Sequence, residues 1–476
     1  MVMSRHSMSN GAKGRSRAVA LLRSLTHAGG HPVIRRLYDL VPLRWKDALR
    51  ARLIGTAGGA THGAARPVIG RPAPPNTPPL RVPTPDDGRG VNLIGFAHGA
   101  LGLSENFRSL ARALLAEGYA VSLVDAGVLD SVRNSDRAGD LTLSSSAPYP
   151  IDIFCINPDQ LGAAMDATRL ARRSDAYRIG YWFWELETIP ADWIPALDHV
   201  DEIWVASPFV RDAFTSVTHK PVILVRVPVE PPVLPGRGKD EGAPFVFLFS
   251  FDFHSYVARK NPAAVIEAFT RAFPQGDENV RLVVKSNNGD AFREQLYALL
   301  ARASCDARVR IVDGYVPREQ MLDLLDAAEV YVSLHRSEGF GLGMAEAMAL
   351  GKAVIGTGYS GNLEFMDGGN SRLVRFKMVA VRPGEYMHGE GCAWAEPDVD
   401  HAATLMRELA ADSRGAIELG RRAAEDMKLR HSMSVAGRIA VERLTAIRQM
   451  LPATSDIPHA ASPKQDGSVN HPGDTP

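Results

Sequence analysis

Short apolar runs alternate with amphipathic segments through most of the chain. Each run has the length of a buried strand, and most are followed by a glycine-rich or polar loop and then a segment of helical spacing. The order strand, glycine loop, helix, strand is the opening of a doubly wound α/β domain. Strands are predicted at residues 91–96, 120–124, 151–156, 177–184, 202–206, 221–229, 245–251, 280–285, 309–312, 330–334 and 352–356.

Helices are expected where apolar residues recur at helical spacing and a glycine or polar residue marks an end. One runs from Phe107 to Glu117 and stops at Gly118, another follows Ser207, and a third ends near Gly351. Residues 371–395 are expected to form loops. The other predicted helices are residues 263–273, 319–328, 400–411, 414–427 and 434–450.

Two stretches rich in proline and glycine divide the chain. Residues 66–90 contain eight prolines and three glycines, which is typical of an extended linker that buries no core. A second connection, rich in Pro, Gly and charge, lies at 231–242. The predicted organisation is an arm and linker at 1–90, domains at 91–230 and 243–430, a helix at 431–451 and a disordered tail at 452–476.

The net charge is zero, but the charges are unevenly distributed. Residues 1–90 carry 15 Lys and Arg against 4 Asp and Glu, and the rest carries 39 against 50. Residues 33–54 interleave basic side chains with Leu, Tyr and Trp45, which suits peripheral contact with an anionic membrane. A helix packed on the protein's own body and a solvated arm are the alternatives. No nucleic-acid partner is expected, and no apolar run approaches membrane-spanning length.

Three cysteines lie far apart in the sequence, at Cys155, Cys305 and Cys392. Their spacing fits no metal motif, and so few cysteines in a chain of this length indicate a reducing compartment.

The stretch at residues 335–348, His-Arg-Ser-Glu-Gly-Phe-Gly-Leu-Gly-Met-Ala-Glu-Ala-Met, carries the strongest candidate chemistry. It holds two carboxylates, Glu338 and Glu346, separated by seven residues. Glycines let the backbone approach a ligand closely, and the N–H groups at a helix start favour an anion such as phosphate. A carboxylate one turn into the helix accepts hydrogen bonds from sugar hydroxyls. The alternative is a strand–loop–helix turn whose glycines serve packing alone.

This stretch resembles the retaining nucleotide-sugar glycosyltransferases of family 4, whose mark is Glu-x7-Glu in a loop rich in Gly and Phe. The resemblance covers about residues 91–450. It implies the GT-B fold class, an α/β architecture of two Rossmann-like doubly wound domains facing across a cleft, here with a basic Pro-rich N-terminal arm. It also implies that the second domain binds the donor, the first binds the acceptor, and the C-terminal helix crosses back to the first domain.

The resemblance implies that Glu338, Lys260 and Arg259 are the catalytic groups, with the cations stabilising the departing diphosphate. The family usually places its arginine about five residues before the lysine, where this chain has Ser255. Arg259 therefore either substitutes for that arginine or points away, and His254 and Ser255 are further candidate donors. Lys285 is either a donor contact or a surface lysine. The implied donor-binding residues are Glu346, Gly339, Phe340, Gly341, Leu342, Gly343, Lys285, Ser360 and Gly361.

The cleft side of the first domain offers further candidates. The loop after the first strand is glycine-rich but lacks the Gly-x-Gly-x-x-Gly spacing of dinucleotide-binding folds. Glu185 ends an aromatic strand and is either a cleft residue or a rim charge. For the loop residues, a turn needed only for packing is the alternative. The acceptor and cleft candidates are His98, Gly99, Gly102 and Glu185, with Glu105, Arg108, Asn157, Asp159 and Ser207 beside them.

The implied reaction moves a sugar from a UDP- or GDP-linked donor to an acceptor hydroxyl with retained anomeric configuration, without a metal or other cofactor. Residues 180–185 and 394–398 also look like bacterial enzymes of surface-polysaccharide assembly. They imply a glycan or lipid-linked acceptor and a cytoplasmic enzyme, peripheral on the inner face of the cell membrane. A glycan phosphorylase would need a Schiff-base lysine motif, and an epimerase of this fold lacks Glu-x7-Glu. A non-catalytic sugar-binding or scaffold protein is the open alternative.

Overall fold

The computed structural model describes residues 90–99, 102–127, 140–173, 175–236 and 241–451. These residues form two α/β regions, each built on a six-stranded parallel sheet. The predicted basic arm with its segment 33–54, the linker up to residue 89 and the tail 452–476 lie outside the described residues. In the part that is described, no helix is long and apolar enough to cross a membrane.

The first sheet has the strand order β2-β1-β3-β4-β5-β6. Its order reverses between β1 and β3, so the loops after these two strands flank the crevice in which such sheets bind ligands. All six predicted strands are present, although those predicted at 177–184 and 221–229 are shorter than expected. The strands are β1 (Val91–Gly95), β2 (Val121–Asp125), β3 (Ile151–Phe154), β4 (Tyr177–Trp182), β5 (Glu202–Val205) and β6 (Val222–Leu224).

The second sheet has the order β12-β11-β10-β7-β8-β9, with its reversal between β7 and β10. Here the five predicted strands are confirmed, and β12 is an addition. An antiparallel hairpin, β13 with β14, follows the sheet. The strands are β7 (Phe245–Asp252), β8 (Val280–Asn287), β9 (Val309–Asp313), β10 (Val330–Ser333), β11 (Ala353–Thr357), β12 (Arg372–Val374), β13 (Phe376–Ala380) and β14 (Ala393–Pro397).

Helices cover the sheets, and most lie within a few residues of their predicted positions. Those at Pro158–Ala167 and Arg293–Ala303 were not predicted. The α-helices are Gly102–Ala116, Pro158–Ala167, Pro208–Thr215, Val257–Lys260, Pro262–Ala272, Arg293–Ala303, Arg318–Ala327, Leu342–Ala349, Val399–Ala411, Ser413–His431 and Met433–Met450. Short 3-10 helices lie at Leu170–Arg172, Ala191–His199, Phe253–Ser255, Gly289–Phe292 and Gly361–Glu364.

Two local predictions are wrong. The helix predicted to begin at Phe107 begins at Gly102, because the pair formed by Glu105 and Arg108 and the bond from Ser109 Oγ to the Glu105 carbonyl continue helical contacts through the polar residues. Residues 371–395, predicted as loops, contain β12, β13 and the start of β14. Four of the five residues of β13 are exposed, so the strand lacks the alternating burial that sequence patterns reveal.

The hairpin follows the second sheet in sequence but packs into the core of the first domain. Val381, Tyr386 and Trp394 belong to the same buried cluster as Trp184 and Trp193 of the first domain. The Trp184 ring lies 5.7 Å from the Tyr386 ring and 4.7 Å from the Trp193 ring. The hairpin therefore bridges the two domains.

The C-terminal helix Met433–Met450 forms a second bridge, because it packs on the first-domain helix Gly102–Ala116. At Gly437 a Cβ would lie only 2.6 Å from the Ala113 carbonyl oxygen, so glycine permits this close approach. Arg443 donates from Nε to Glu202 Oε1 at 2.9 Å and from Nη2 to the other oxygen. Glu202 is fully buried and also accepts a 2.7 Å bond from Trp204 Nε1.

Replacing Arg443 with alanine should destabilise the protein by about 3 kcal/mol, since a buried carboxylate would lose its cation. Urea unfolding of Arg443→Ala measures this. The exposed pair of Arg421 with Glu418 supplies the control, because Arg421→Ala should cost less than about 1 kcal/mol. Equal effects of the two substitutions would contradict the account of the C-terminal bridge.

Candidate functional site

The loops after β7 and β10 meet at the point where the strand order of the second sheet reverses. These two strands are neighbours, and ligands bind at such reversal points in parallel sheets. The loop after β10 carries Glu338, and the segment after β7 carries Arg259 and Lys260. The topology thus brings together residues that are nearly 80 positions apart in the sequence.

Glu338 is buried and accepts hydrogen bonds from both cations. Its Oε2 lies 3.0 Å from Arg259 Nη1, and its Oε1 accepts from Lys260 Nζ. Arg259 Nη1 also donates to the Ser337 carbonyl at 3.0 Å. Because a buried carboxylate is costly unless it is paired, these contacts explain how Glu338 is accommodated at 6% exposure. Arg259 and Lys260 thus supply two positive charges to one side of this carboxylate.

The burial and the charges of the cluster shift the pKa values of its members. Burial raises the pKa of Glu338, but Lys260 and Arg259 outweigh burial and lower that pKa to about 2. Burial acts to lower the pKa of Arg259, but Glu338 and Glu185 raise it overall. Burial lowers the pKa of Lys260, and Arg259 adds to this effect while Glu338 opposes it.

Of the two alternatives for Arg259, the structure excludes the one in which it points away. The side chain is buried against Glu338, on the same carboxylate as Lys260. Its Nε donates to the Ser255 carbonyl at 3.2 Å, so Ser255 uses its backbone here. The His254 side chain packs edge-on against Phe292, with ring centroids 5.0 Å apart.

Ser360 and Gly361 hold the Glu338 loop in place. Ser360 Oγ accepts a 2.8 Å bond from the Glu338 N–H, and the Gly361 N–H donates to the Glu338 carbonyl at 2.8 Å. At Gly361 a Cβ would lie 2.1 Å from the Gly339 carbonyl oxygen. These two predicted donor-binding residues therefore support the loop directly, whatever else they contact.

The loop ends where the helix Leu342–Ala349 begins. Gly341 has φ of 95°, the left-handed region that favours glycine, and serves as the N-cap. The N–H groups of Leu342 and Gly343 precede the first intrahelical bonds and point toward the helix end, whereas those of Met344 and Ala345 donate to the Gly341 carbonyl at 3.0 and 3.1 Å. Gly343 permits close packing on β10, because a Cβ there would lie 2.6 Å from the Tyr331 hydroxyl.

Phe340 was expected to bind the donor, but its side chain is buried at 4% exposure. Its ring packs 4.9 Å from the Phe365 ring and 5.6 Å from the His431 ring. The reason is that the loop needs an apolar anchor beneath its glycines. The Phe340 side chain therefore fixes the loop.

Lys285 is buried, so it is not a surface lysine. Its ammonium donates to the carbonyls of Ser286 and Gly314 at 2.6 Å each and to Asn287 Oδ1 at 2.8 Å. An ammonium has three hydrogens, and these acceptors use all of them. Lys285 therefore ties the loop after β8 to the loop after β9, and a donor contact would require breaking one of these bonds.

Glu346 is half-buried one turn into its helix, on the same face as Leu342. Both line a cavity of about 310 Å³ between the two domains. Although the cavity is rich in carboxylates, the described residues contain no group of three or more His, Cys, Asp or Glu arranged to hold a metal ion. The other lining residues are Glu105, Ser109, Arg112, Asp140, Pro228, Val229, Glu230 and Met433.

Glu185 reaches the cluster from the first domain and is not a rim charge in water. Its Oε1 lies 3.7 Å from Arg259 Nη2, and its Oε2 accepts a 2.6 Å bond from the Tyr386 hydroxyl. The Glu185 carbonyl accepts from the Ser337 hydroxyl. Ser207, another first-domain candidate, donates to the Gly339 carbonyl at 2.7 Å. The two domains thus meet at the loop after β10 that carries Glu338, called here the signature loop.

The loop after β1 is organised by Arg108, which is almost fully buried. Its Nη1 donates to the Ala97 carbonyl at 2.8 Å and to the Gly99 carbonyl at 3.0 Å. At Gly102 a Cβ would meet nothing within 4 Å, so packing does not require glycine there. The side chain of His98 is half-buried at this rim. The roles of His98, Gly99 and Gly102 toward an acceptor remain predictions.

Sequence reasoning missed two polar supports of the site. His335 is fully buried, 3.1 Å from Ser333 Oγ and 3.1 Å from Asn362 Oδ1, and its burial lowers its pKa. Tyr386 lies in the region predicted as loop and contacts Glu185. His335 belongs to the motif at residues 335–348, so the sequence could have indicated its role. Nothing near Tyr386 in the sequence indicated a partner two hundred residues away.

Residues 243–376 match the family described as glycosyl transferases group 1. The match covers most of the second domain. No curated protein matches this chain.

Solved structures of similar fold span both domains. The sucrose-phosphate synthase of Thermosynechococcus elongatus is 17% identical, covers 76% of this chain and 100% of that chain, and has a TM-score of 0.57. HepE of Anabaena in complex with UDP and glucose is 13% identical and has a TM-score of 0.53. The alignment covers 75% of this chain and 100% of that chain. A TarM mutant of S. aureus aligns at 14% identity and a TM-score of 0.47, and this chain covers only 54% of its length.

These findings confirm the predicted GT-B fold, two Rossmann-like domains with parallel sheets. The family match, together with this fold, supports a glycosyltransferase.

Replacing Gly361 with alanine should destabilise the protein by about 2–3 kcal/mol, because the new methyl group would overlap the Gly339 carbonyl and push the loop away. Thermal unfolding measures the effect. At Gly368 a Cβ meets nothing within 4 Å, so Gly368→Ala is the matched control and should change stability by less than about 0.5 kcal/mol. Tolerance of Gly361→Ala equal to that of the control would show that the loop is not tightly held.

Proposed function

We propose that this protein is a retaining, metal-independent glycosyltransferase that moves a sugar from a nucleotide-sugar donor to an acceptor hydroxyl. The observation that carries the proposal is the contact of Glu338 with Arg259 and Lys260 at the reversal point of the second sheet. This cluster lies in the domain that matches group 1 glycosyl transferases.

The donor's diphosphate is proposed to bind at Lys260, Arg259 and the first turn of the helix Leu342–Ala349. Lys260 and Arg259 supply two positive charges, and helix N-terminal N–H groups favour anions. Negative charge develops on the diphosphate as it leaves. Cations that are fixed before the reaction stabilise this charge without further reorganisation.

Glu338 is proposed to contact the hydroxyls of the transferred sugar. With its pKa lowered to about 2, the carboxylate stays ionised and can only accept hydrogen bonds. Sugar hydroxyls are suitable donors. Glu338 would repel a phosphate group placed directly beside it. Arg259 and Lys260 are therefore proposed to lie between the Glu338 carboxylate and the diphosphate.

Glu346 is proposed to hold the ribose hydroxyls of the nucleotide. It lines the 310 Å³ cavity, whose side chains include four carboxylates and one guanidinium. Its carboxylates favour hydroxyl groups, and Leu342, at the helix start proposed for the diphosphate, lines the same cavity. The diphosphate and the ribose would then occupy adjacent places.

In the proposed reaction the bond between the anomeric carbon and the diphosphate oxygen breaks while the acceptor oxygen attacks from the same face. The acceptor proton passes to the departing phosphate oxygen, so no protein nucleophile takes part. The donor is proposed to be UDP- or GDP-linked, and HepE, a protein of similar fold, has been crystallised with UDP and glucose. UDP-glucose is therefore the first donor to test.

The acceptor is proposed to be a glycan or lipid-linked sugar in bacterial polysaccharide assembly, approached from the first domain. A cytoplasmic enzyme of this kind would contact the anionic inner face of the cell membrane through the basic segment 33–54, which suits such a surface by composition.

A thermal-shift panel of UDP, GDP, ADP and their sugar conjugates tests the donor site. A ligand that binds only the folded protein stabilises it by about 2.7 kcal/mol at a hundredfold excess over Kd. One nucleotide should raise the melting temperature of the wild type, and Lys260→Ala and Glu346→Ala should abolish the shift. The exposed Lys428→Ala should retain it.

The absence of any shift at millimolar nucleotide would contradict the proposal and favour a non-catalytic GT-B sugar-binding protein. A shift that survives in both Lys260→Ala and Glu346→Ala would place the nucleotide elsewhere.

A further inference from the structure

Tyr386 lies in the segment that connects β13 to β14. Its side chain nevertheless lies beside the cluster of Glu338, Arg259 and Lys260. It is 8% exposed, and its ring packs 4.8 Å from the Tyr256 ring and 6.2 Å from the Trp394 ring. Packing accounts for the ring. It does not account for the hydroxyl, which is directed at Glu185 of the other domain.

The hydroxyl begins a chain of polar contacts that ends on Glu338. It donates to Glu185 Oε2 at 2.6 Å, and Glu185 Oε1 lies 3.7 Å from Arg259 Nη2. Arg259 Nη1 then donates to Glu338 Oε2 at 3.0 Å. Glu185 and Glu338 therefore draw on different nitrogens of one guanidinium and define its plane.

The Tyr386 ring adds a second contact with the same guanidinium. The Arg259 Cζ atom lies 5.8 Å from the centre of the ring, within the range of a cation–π interaction. Tyr386 thus acts on Arg259 directly through its ring and indirectly through Glu185. An arginine that is fixed from two sides loses little orientational freedom when it binds a phosphate.

The hydroxyl remains a donor at all working pH values. Burial raises the pKa of Tyr386 well above its ordinary range, and the neighbouring Glu185 raises it further. Glu185 accepts from the Tyr386 hydroxyl through one oxygen and lies beside Arg259 with the other. The hydrogen bond therefore runs from Tyr386 to Glu185.

We propose that Tyr386 and Glu185 are positioning residues that hold the Arg259 guanidinium in the orientation required by the leaving diphosphate. This inference rests on the proposed glycosyl transfer. Because Glu185 belongs to the first domain and Arg259 to the second, the cation site is complete only when the domains are in contact. The hairpin thereby couples domain contact to the chemistry of the donor site.

The test is the steady-state release of nucleoside diphosphate from UDP-glucose, UDP-N-acetylglucosamine and GDP-mannose by wild type and Tyr386→Phe. The substitution removes one hydroxyl and keeps the ring. For a donor that the wild type turns over, kcat should fall about 10-fold, since a hydrogen bond to a charged group is lost. KM should change less than about 2-fold, because Arg259 acts mainly as charge develops on the diphosphate.

Tyr359→Phe is the matched control. The Tyr359 hydroxyl also joins the two domains, donating to Glu187 Oε1 at 2.9 Å, but it is outside the chain of contacts to Arg259. If the hydroxyls served only to join the domains, the two variants would behave alike. We expect Tyr359→Phe to retain wild-type kcat.

A double-mutant cycle with Arg259→Lys separates positioning from general structural damage. If Tyr386 acts through Arg259, adding Tyr386→Phe to Arg259→Lys should lower kcat by less than about 2-fold. If the two substitutions lower kcat by independent factors that multiply in the double variant, the inference is overturned. An unchanged kcat in Tyr386→Phe would also overturn it. Either result leaves the proposed function standing, whereas a wild type that turns over no nucleotide-sugar overturns the proposed function and this inference with it.

Discussion

The structure depends on the burial of one carboxylate, Glu338, between two cations. A buried charge without partners would destabilise the fold by several kcal/mol, so the loop after β10 can take its position only if Arg259 and Lys260 are present. The same requirement fixes two cations at the place where parallel sheets bind ligands. Stability and the proposed binding of a diphosphate therefore have a common origin at this site.

Residues of both domains contact this cluster and the loop that carries it. Ser207 and the carbonyl of Glu185 bind the signature loop from the first domain, and the Glu185 carboxylate reaches Arg259. The C-terminal helix and the hairpin β13–β14 carry the second half of the chain back onto the first. The site is consequently a property of both domains together.

The sequence predicted the strands well, because buried parallel strands are continuous apolar runs with glycine or polar residues at their ends. It also located the loop containing Glu338 and the cations that pair with it. It failed at Tyr386, since the hairpin is largely exposed on one strand and its contacts are more than two hundred residues away in sequence. The donor roles predicted for Phe340 and Lys285 stay predictions, and the burial and internal contacts of both side chains could not be read from a motif, which identifies a loop but not the direction of each side chain.

The most direct test of the account is a crystal structure of the protein with UDP or GDP, whichever binds. The account predicts diphosphate oxygens within hydrogen-bonding distance of Lys260 Nζ and of the N–H groups at Leu342 and Gly343, with the ribose on Glu346. A nucleotide bound away from these groups, with the contacts of Glu338 to Arg259 and Lys260 unaltered and Glu346 untouched, would contradict it.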